Sequence, residues 1–249
     1  MERSTDIPAS QANDYDGFAE AYAAENEKSL VNAYYERPAT LALAGDVTGR
    51  RILDAGCGAG PLSAALRDRG ATVTGIDVSA GMLALARRRL GDDVPLHRAD
   101  LSDPLPFADA AFDDVIASLV LHYLEDWGPT LAEFRRVLGP GGRLIASVDH
   151  PFVAYTFQDP RPDYFANTSY AFEWTLDGHT APMRFWRKSL HAMTEAFTTA
   201  GFRLSAITEP QPDPAARELF PDDFHALSTK PCFLFFVAEV PGARAGGDD

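Results

Sequence analysis

At 249 residues the chain has room for one large domain, or for one domain carrying an insertion. A composition of 46% hydrophobic and 23% charged residues fits a soluble globular protein and excludes fibrous and disordered classes. The net charge of −14 disfavours a nucleic-acid partner, and the two cysteines, Cys57 and Cys232, do not suggest a disulfide framework.

Residues 1–12 are polar and are expected to be disordered. Asn13 to about Leu30 reads as a helix punctuated by Tyr15, Phe18 and Tyr22. It is either an amphipathic helix packed on the core or a lid over a ligand. Residues 31–46 read as a second helix, with Pro38 at a break or a fresh start and Tyr34 and Tyr35 facing either core or ligand. Strand one is Arg51–Asp54, and Gly70 ends the helix Leu62–Arg69. Strand two runs Ala71–Asp77. Ser79 is a good N-cap for a helix over Ala80–Leu90, whose Arg87-Arg88-Arg89 cluster faces solvent. Strand three is Val94–Ala99 and strand four Asp114–Ala117. A helix over Trp127–Leu138 ends in the turn Gly139–Gly142, and strand five is Arg143–Val148.

Residues 149–188 break this alternation with a run of aromatic residues, among them Tyr155, Tyr170, Phe172, Trp174, Phe185 and Trp186. Ser169–Leu176 and Met183–Lys188 pair as a hairpin around Asp177-Gly178, a strong turn dipeptide. So much aromatic surface needs a partner: a flap on the sheet, a dimer contact, or the roof of an apolar substrate pocket. The roof is favoured, because the insertion starts where strand five meets the ligand edge of the sheet. Ser189–Ala200 is a helix, Arg203–Thr208 strand six, Glu209–Pro221 a surface loop and Cys232–Val240 strand seven. Alternating elements of this length give an α/β fold with a parallel sheet flanked by helices.

The stretch around which the rest is organised is Ile52-Leu-Asp54-Ala-Gly56-Cys57-Gly58-Ala-Gly60. Its glycines let the backbone turn tightly and approach a ligand without Cβ collisions. Strand, glycine loop and helix form a nucleotide-binding βα unit. Asp77 ends the next strand, beside that loop, where a carboxylate accepts both hydroxyls of a ribose. In the usual dehydrogenase pattern the third glycine stands one residue later, which disfavours NAD.

Leu53–Gly60 resembles the first motif of the class I S-adenosylmethionine-dependent methyltransferases. Gly75-Ile-Asp77-Val78-Ser79 resembles the second, Arg98-Ala-Asp100-Leu101 the third, Phe112–Ser118 the fourth, and Leu138–Gly142 the turn before the fifth strand. The motifs stand in family order and cover about residues 15–150. The resemblance implies a Rossmann-like, doubly wound, seven-stranded sheet with helices on both faces. The sheet is mostly parallel, with strand seven antiparallel between strands five and six. Residues 1–249 then form one domain, with 13–46 as an N-terminal helical lid and 149–188 as an insertion capping the substrate site.

The implied cofactor is S-adenosylmethionine, with S-adenosylhomocysteine as product. Asp77 suits its ribose diol, Asp100 its adenine amino group, and the Leu101 backbone N–H a ring nitrogen. Asp54 and the loop of Gly56, Cys57, Gly58 and Gly60 suit its amino-acid end, the free N–H groups favouring the carboxylate. Asp54 reads equally as an acid that orders the turn. Met82 covers the adenine or packs in the core. Val78 and Ser118, from the second and fourth motifs, complete the implied set. Tyr15 and Tyr22 match a family segment that folds across the methionine end.

Transfer to a hydroxyl or amine releases a proton, a task suited to a histidine near neutral pKa. His122 and His150 both follow strands that end at the ligand edge, and each is also readable as a structural residue. No metal-ligand spacing stands out. Ser118-Leu-Val-Leu121 in place of an Asn-Pro-Pro-Tyr-like tetrapeptide argues against methylation of exocyclic amines of bases or of glutamine. The expectation is a methyltransferase for a small, apolar or aromatic metabolite, with oxygen favoured over nitrogen and carbon as acceptor. It acts as a monomer or homodimer, in the cytoplasm, with neither a nucleic-acid nor a membrane partner. Two alternatives keep the cofactor: a non-methylating cyclase or rearrangement catalyst, and a regulatory protein without turnover.

Overall fold

The computed structural model describes residues 12–176 and 178–242, so the segments expected to be disordered lie almost wholly outside the described residues. A 3-10 turn at Asp16–Phe18 leads into α1 (Ala19–Lys28), and a π-helical turn at Asn32–Glu36 runs directly into α2 (Arg37–Ala44). The helix expected from Asn13 starts six residues later. Asn13 has a positive φ of 64°, and the Asp14 side chain accepts the Asp16 N–H at 3.1 Å, a local bond that competes with helix.

The alternation that follows is β1 (Arg51–Ala55), α3 (Pro61–Asp68), β2 (Thr72–Asp77), α4 (Ala80–Leu90), β3 (Leu96–Arg98), β4 (Phe112–Ser118), α5 (Gly128–Val137) and β5 (Leu138–Asp149). Then come α6 (Pro151–Thr156), the hairpin strands β6 (Thr168–Leu176) and β7 (His179–Arg187), α7 (Leu190–Thr199), β8 (Arg203–Thr208), α8 (Pro221–Thr229) and β9 (Phe233–Glu239). Neither α6 nor α8 is expected from periodicity. Both open on a proline in the first turn, where its missing N–H costs nothing.

The seven-stranded sheet has the order β3-β2-β1-β4-β5-β9-β8. β1 to β5 are parallel to their neighbours, and β9 is antiparallel to both β5 and β8. This is the expected topology. It follows from Phe233–Ala238, an unbroken buried run that only an interior strand accommodates. The expected turn at Gly139–Gly142 is instead the start of β5, where Phe112 pairs with Leu138 before the register shifts. A Cβ at Gly142 would lie 2.8 Å from the Gly139 carbonyl oxygen, so the glycines permit a bulge rather than a break.

One face of the sheet packs on α5 and α7 through Trp127, Leu131, Phe134, Phe197 and Phe236. The other packs on α2 and α3 through Leu41, Leu62, Leu66 and Ile52. Each such side chain contributes about 2 kcal/mol by leaving water. At the amino-terminal edge the fully buried Asp114 carboxylate is shared by Arg50 and Arg143, which anchors β4 between β1 and β5.

The strand order reverses between β1 and β4, and their carboxyl ends open a crevice there. Two distant segments cover it. The hairpin turns Tyr170, Phe172 and Trp174, with Ala181, Met183 and Phe185 opposite them, onto Phe18, Tyr15, Tyr22 and Tyr123. Of the expected turn pair, Gly178 is described and Asp177 lies outside the described residues. Not all the insertion's aromatic surface joins this layer: Phe152 and Phe165 stay exposed, and Phe157 meets it only edge-on at Tyr170. Nor does the basic cluster simply face solvent. Arg88 reaches Glu20 and Arg89 reaches Glu27 at 2.5 Å, tying α4 to α1.

Candidate functional site

A cavity of about 340 Å³ lies at the carboxyl edge of the sheet, over β1, β2 and β4. Its floor begins with the loop after β1. The Gly56 and Cys57 N–H groups both donate to the Ile76 carbonyl, at 2.8 and 2.9 Å, which locks the loop against β2. Gly56, Gly58 and Gly60 all have positive φ. A Cβ at Gly56 would meet Val120 Cγ2 at 2.8 Å, so the loop after β4 is packed onto bare backbone.

Asp77 accepts the Gly58 N–H on one oxygen and the Ser79 N–H on the other, each at 2.9 Å. Its carboxylate is thereby fixed at the cavity wall. Burial pushes Asp77 up, opposed by these N–H donors. Asp54 is fully buried and accepts the Ser63 hydroxyl at 2.5 Å. Burial, with Glu36 and Asp77 nearby, pushes Asp54 up to about 7. Asp100 follows β3 and accepts the Ser102 N–H at 2.8 Å, while the Leu101 carbonyl is held by the Thr130 hydroxyl at 2.7 Å. Ser79 caps α4 by accepting the Met82 N–H at 3.0 Å, which sets Met82 against the cavity.

The roof is phenolic. Tyr15, Tyr22 and Tyr123 line the cavity, Tyr15 and Tyr123 share a hydrogen bond between hydroxyls, and Tyr22 stacks on Trp174. Burial raises the pKa of all three, so they face the cavity as neutral phenols. Polar ties also hold the roof in place, among them those of Asn13 and Asp16. The Asn13 side-chain amide accepts from the Arg184 N–H at 2.8 Å and donates to the Arg184 carbonyl at 3.0 Å, continuing the hairpin ladder. Asp16 accepts the Gly81 N–H at 2.7 Å and the Ser79 hydroxyl, closing the N-terminal segment onto α4.

Residues 53–146 match a family model described as a methyltransferase domain, and the match ends before the roof hairpin begins. A solved S-adenosylmethionine-dependent methyltransferase from Mesorhizobium loti superposes with a TM-score of 0.69 at 27% identity, over 86% of this chain and 99% of that one. Residues 53–146 of this chain are thus similar to methyltransferase domains, and the fold around them is that of a solved S-adenosylmethionine-dependent methyltransferase. A demethylmenaquinone methyltransferase of Clavibacter sepedonicus is 43% identical to it over 134 residues, 53% of this chain and 54% of that protein. The chain therefore spans about half the length of the first curated relative it matches. The fold alone is shared with a [4+2]-cyclase, at a TM-score of 0.59 and 21% identity, over 83% of this chain and 82% of that one.

Every cofactor-site residue read from the sequence lines the cavity except Gly60. Gly60 serves packing instead: a Cβ there would lie 3.0 Å from Leu90 Cδ1, so the glycine lets α4 approach the loop. The two histidines are not brought to the cavity wall. His150 caps α6 by accepting the Phe152 N–H at 3.2 Å on Nδ1, and its Nε2 meets Glu209 at 2.8 Å, so both ring nitrogens are engaged. His122 is buried behind Tyr123 and Phe185, and its Nδ1 accepts the Asp149 N–H at 3.3 Å. Burial lowers the pKa of both.

The cavity also holds residues that sequence reasoning missed: Asn13, Asn32, Glu36, Arg37 and Leu119. None belongs to a motif, and their side chains reach the cavity only through backbone geometry. Leu119 has a left-handed φ of 49°, a strained conformation that its neighbours enforce. Among the described residues no group of three or more His, Cys, Asp or Glu is placed to hold a metal ion. No described helix is long and apolar enough to cross a membrane.

Proposed function

We propose that this protein transfers the methyl group of S-adenosylmethionine to a small-molecule acceptor and releases S-adenosylhomocysteine. The observation that carries the reading is the placement of Asp54, Asp77 and Asp100 at the carboxyl ends of three successive strands around one cavity, with the glycine loop between the first two. The chemistry of these donors fits the cofactor. The oriented Asp77 oxygens accept the two ribose hydroxyls. Asp100 takes the adenine amino group, with the Leu101 N–H on a ring nitrogen and Val78 and Met82 on the ring. The buried Asp54 carboxylate, costly in isolation, is relieved by an ammonium at the amino-acid end. Gly56, Cys57 and Gly58 let that end approach the backbone, Ser118 flanks it, and Tyr15 and Tyr22 close over it. Arg37, which reaches the same wall, suits the carboxylate.

When bound, the cofactor supplies an electrophilic methyl group on a sulfonium, which leaves as a neutral thioether. The protein's share is to hold the acceptor in line with the methyl–sulfur bond, to exclude water and to receive the acceptor's proton. The phenolic roof and the aromatic layer above it favour an apolar or aromatic acceptor, reacting through oxygen, then nitrogen or carbon in order of preference. The hairpin and the N-terminal segment act as cap and lid over it. The acidic net charge supports a small metabolite rather than a nucleic acid.

Calorimetric titration of the purified protein with S-adenosylmethionine and S-adenosylhomocysteine, beside Asp77→Ala, tests the cofactor site. One-to-one binding that the variant loses is the expected result. Equal binding by the variant would refute the assignment. Release of S-adenosylhomocysteine in a panel of small hydroxylated and amino compounds then separates methyl transfer from binding without turnover.

A further inference from the structure

The cavity holds two carboxylates beyond those the cofactor's handles require, and of these Glu27 is paired with Arg89 while Glu36 is not paired with a described cation. Glu36 is 4% exposed, carried by the last residue of the π-helical turn at Asn32–Glu36. Such turns add a residue to a helix and re-aim its side chains, and they are enriched at functional sites. Here the turn puts Asn32 and Glu36 together on the cavity wall.

The carboxylate is half satisfied. Oε1 accepts the Thr40 hydroxyl and the Ser147 hydroxyl, both at 2.7 Å. Oε2 accepts no hydrogen bond from a described residue. No described cation lies within ion-pair distance of Glu36, and the neighbouring Arg37 guanidinium turns to Asn26, at 2.6 Å from its side-chain oxygen. A buried carboxylate oxygen that faces a cavity without a donor is costly unless a ligand brings one.

The place of Glu36 in the fold says which ligand. The cofactor handles stand at the ends of β1, β2 and β3. Glu36, whose charge reaches Asp54, is anchored to Ser147 of β5, whose hydroxyl also accepts the Leu119 N–H at 3.0 Å. Leu119 follows β4, so the anchor joins the strand ends that the cofactor leaves open.

We propose that Glu36 is the acceptor-site carboxylate: its Oε2 accepts the O–H or N–H of a small hydroxylated or amine acceptor and takes that proton as the methyl group arrives. The inference rests on the methyltransferase reading above. In the step, the acceptor's bond to hydrogen breaks and its bond to the methyl carbon forms. The sulfur–methyl bond breaks with its electron pair returning to sulfur, and the proton passes to Oε2.

Sinefungin tests this without knowledge of the acceptor, because it carries an amine-bearing carbon where the cofactor carries its methyl-bearing sulfur. The unaltered protein is expected to bind sinefungin about tenfold or more tighter than S-adenosylhomocysteine, the worth of a charged hydrogen bond. Glu36→Gln keeps an oxygen for Thr40 and Ser147, and it should bring the two affinities close together while S-adenosylhomocysteine binding changes by less than about threefold. Equal weakening of both ligands would place Glu36 at the amino-acid end and overturn the proposal, and no change in either would reduce it to a structural residue. A crystal structure of the unaltered protein with sinefungin decides the matter even if the variant does not fold: Oε2 must lie within hydrogen-bond distance of the added amine. Binding of neither ligand to the unaltered protein would sink the cofactor reading, and this proposal with it.

Discussion

The floor of the cavity is made of short segments that each follow one strand, and backbone hydrogen bonds hold them. Gly56 and Cys57 bond to Ile76, and Gly58 and Ser79 bond to Asp77. The roof joins residues 171 positions apart, Asn13 and Arg184, and is held by aromatic packing together with side-chain ties between distant segments. The floor therefore shares the stability of the sheet, while the roof can loosen without unfolding it. A cofactor with fixed handles suits the first construction, and acceptors that must enter and leave suit the second.

Perturbations that strike only one of the two parts separate them. The largest effect is expected from Asp77→Ala, which removes two charge-assisted hydrogen bonds to the ribose. Each is worth about 1.5–3 kcal/mol, so affinity for S-adenosylhomocysteine should fall by about 100-fold or more in calorimetry. Gly56→Ala should cost about 2 kcal/mol or more in urea unfolding, because φ is +80° and the new Cβ meets Val120. Gly58→Ala, with nothing within 4 Å of the new Cβ, should cost only the left-handed backbone strain of about 1 kcal/mol.

The pH response is next in size. Asp54 sits near 7 in the folded protein, raised chiefly by burial, so below that pH the carboxyl is protonated and must release its proton to meet an ammonium. Affinity for S-adenosylhomocysteine should fall about tenfold from pH 8 to pH 6, with proton release visible in buffers of different ionisation enthalpy. The sign for the cofactor-free protein is opposite. The folded-state value is raised, so this group's contribution to stability is full in the ordinary carboxylate range and is lost as pH rises through about 7. A urea series across that range reads this directly. The smallest effect is expected from Asn13→Ala, which removes the two side-chain bonds to Arg184 and leaves the backbone bond from this position to the Pro182 carbonyl. Cofactor dissociation in stopped flow should speed up about fivefold, the worth of two neutral hydrogen bonds shared between open and closed states, with the unfolding midpoint nearly unchanged. A large loss of global stability instead would show that roof and floor fold as one unit.

Local chemistry made much of this legible in the sequence. Glycines at alternate positions after an apolar run permit one loop shape, and an acid at a strand end has one edge of the sheet to face. Asp54, Asp77 and Asp100 accordingly line the cavity as read, and the Phe233–Val237 run places β9 inside the sheet. The roof was legible as an aromatic hairpin and as Tyr15 and Tyr22 of the N-terminal segment, but not in its contacts. Which rings meet depends on the hairpin register and on where the N-terminal segment docks, and neither leaves a local pattern.

His122 and His150 show the limit from the other side. Both follow strands that end at the ligand edge, yet one points behind Tyr123 and the other caps α6, because strand position fixes where a residue sits and not which way its ring turns. Glu36 is the converse, an acid in an ordinary helical stretch that a π-helical turn and two hydroxyls from distant positions aim into the cavity. The sequence by itself determined the α/β alternation, the glycine loop and the acids at the strand ends, because those depend on backbone sterics and on contacts within one βα unit. Only the tertiary structure decided the cover of the cavity and the turn of Glu36 toward it, because those depend on which distant side chains the packing brings together.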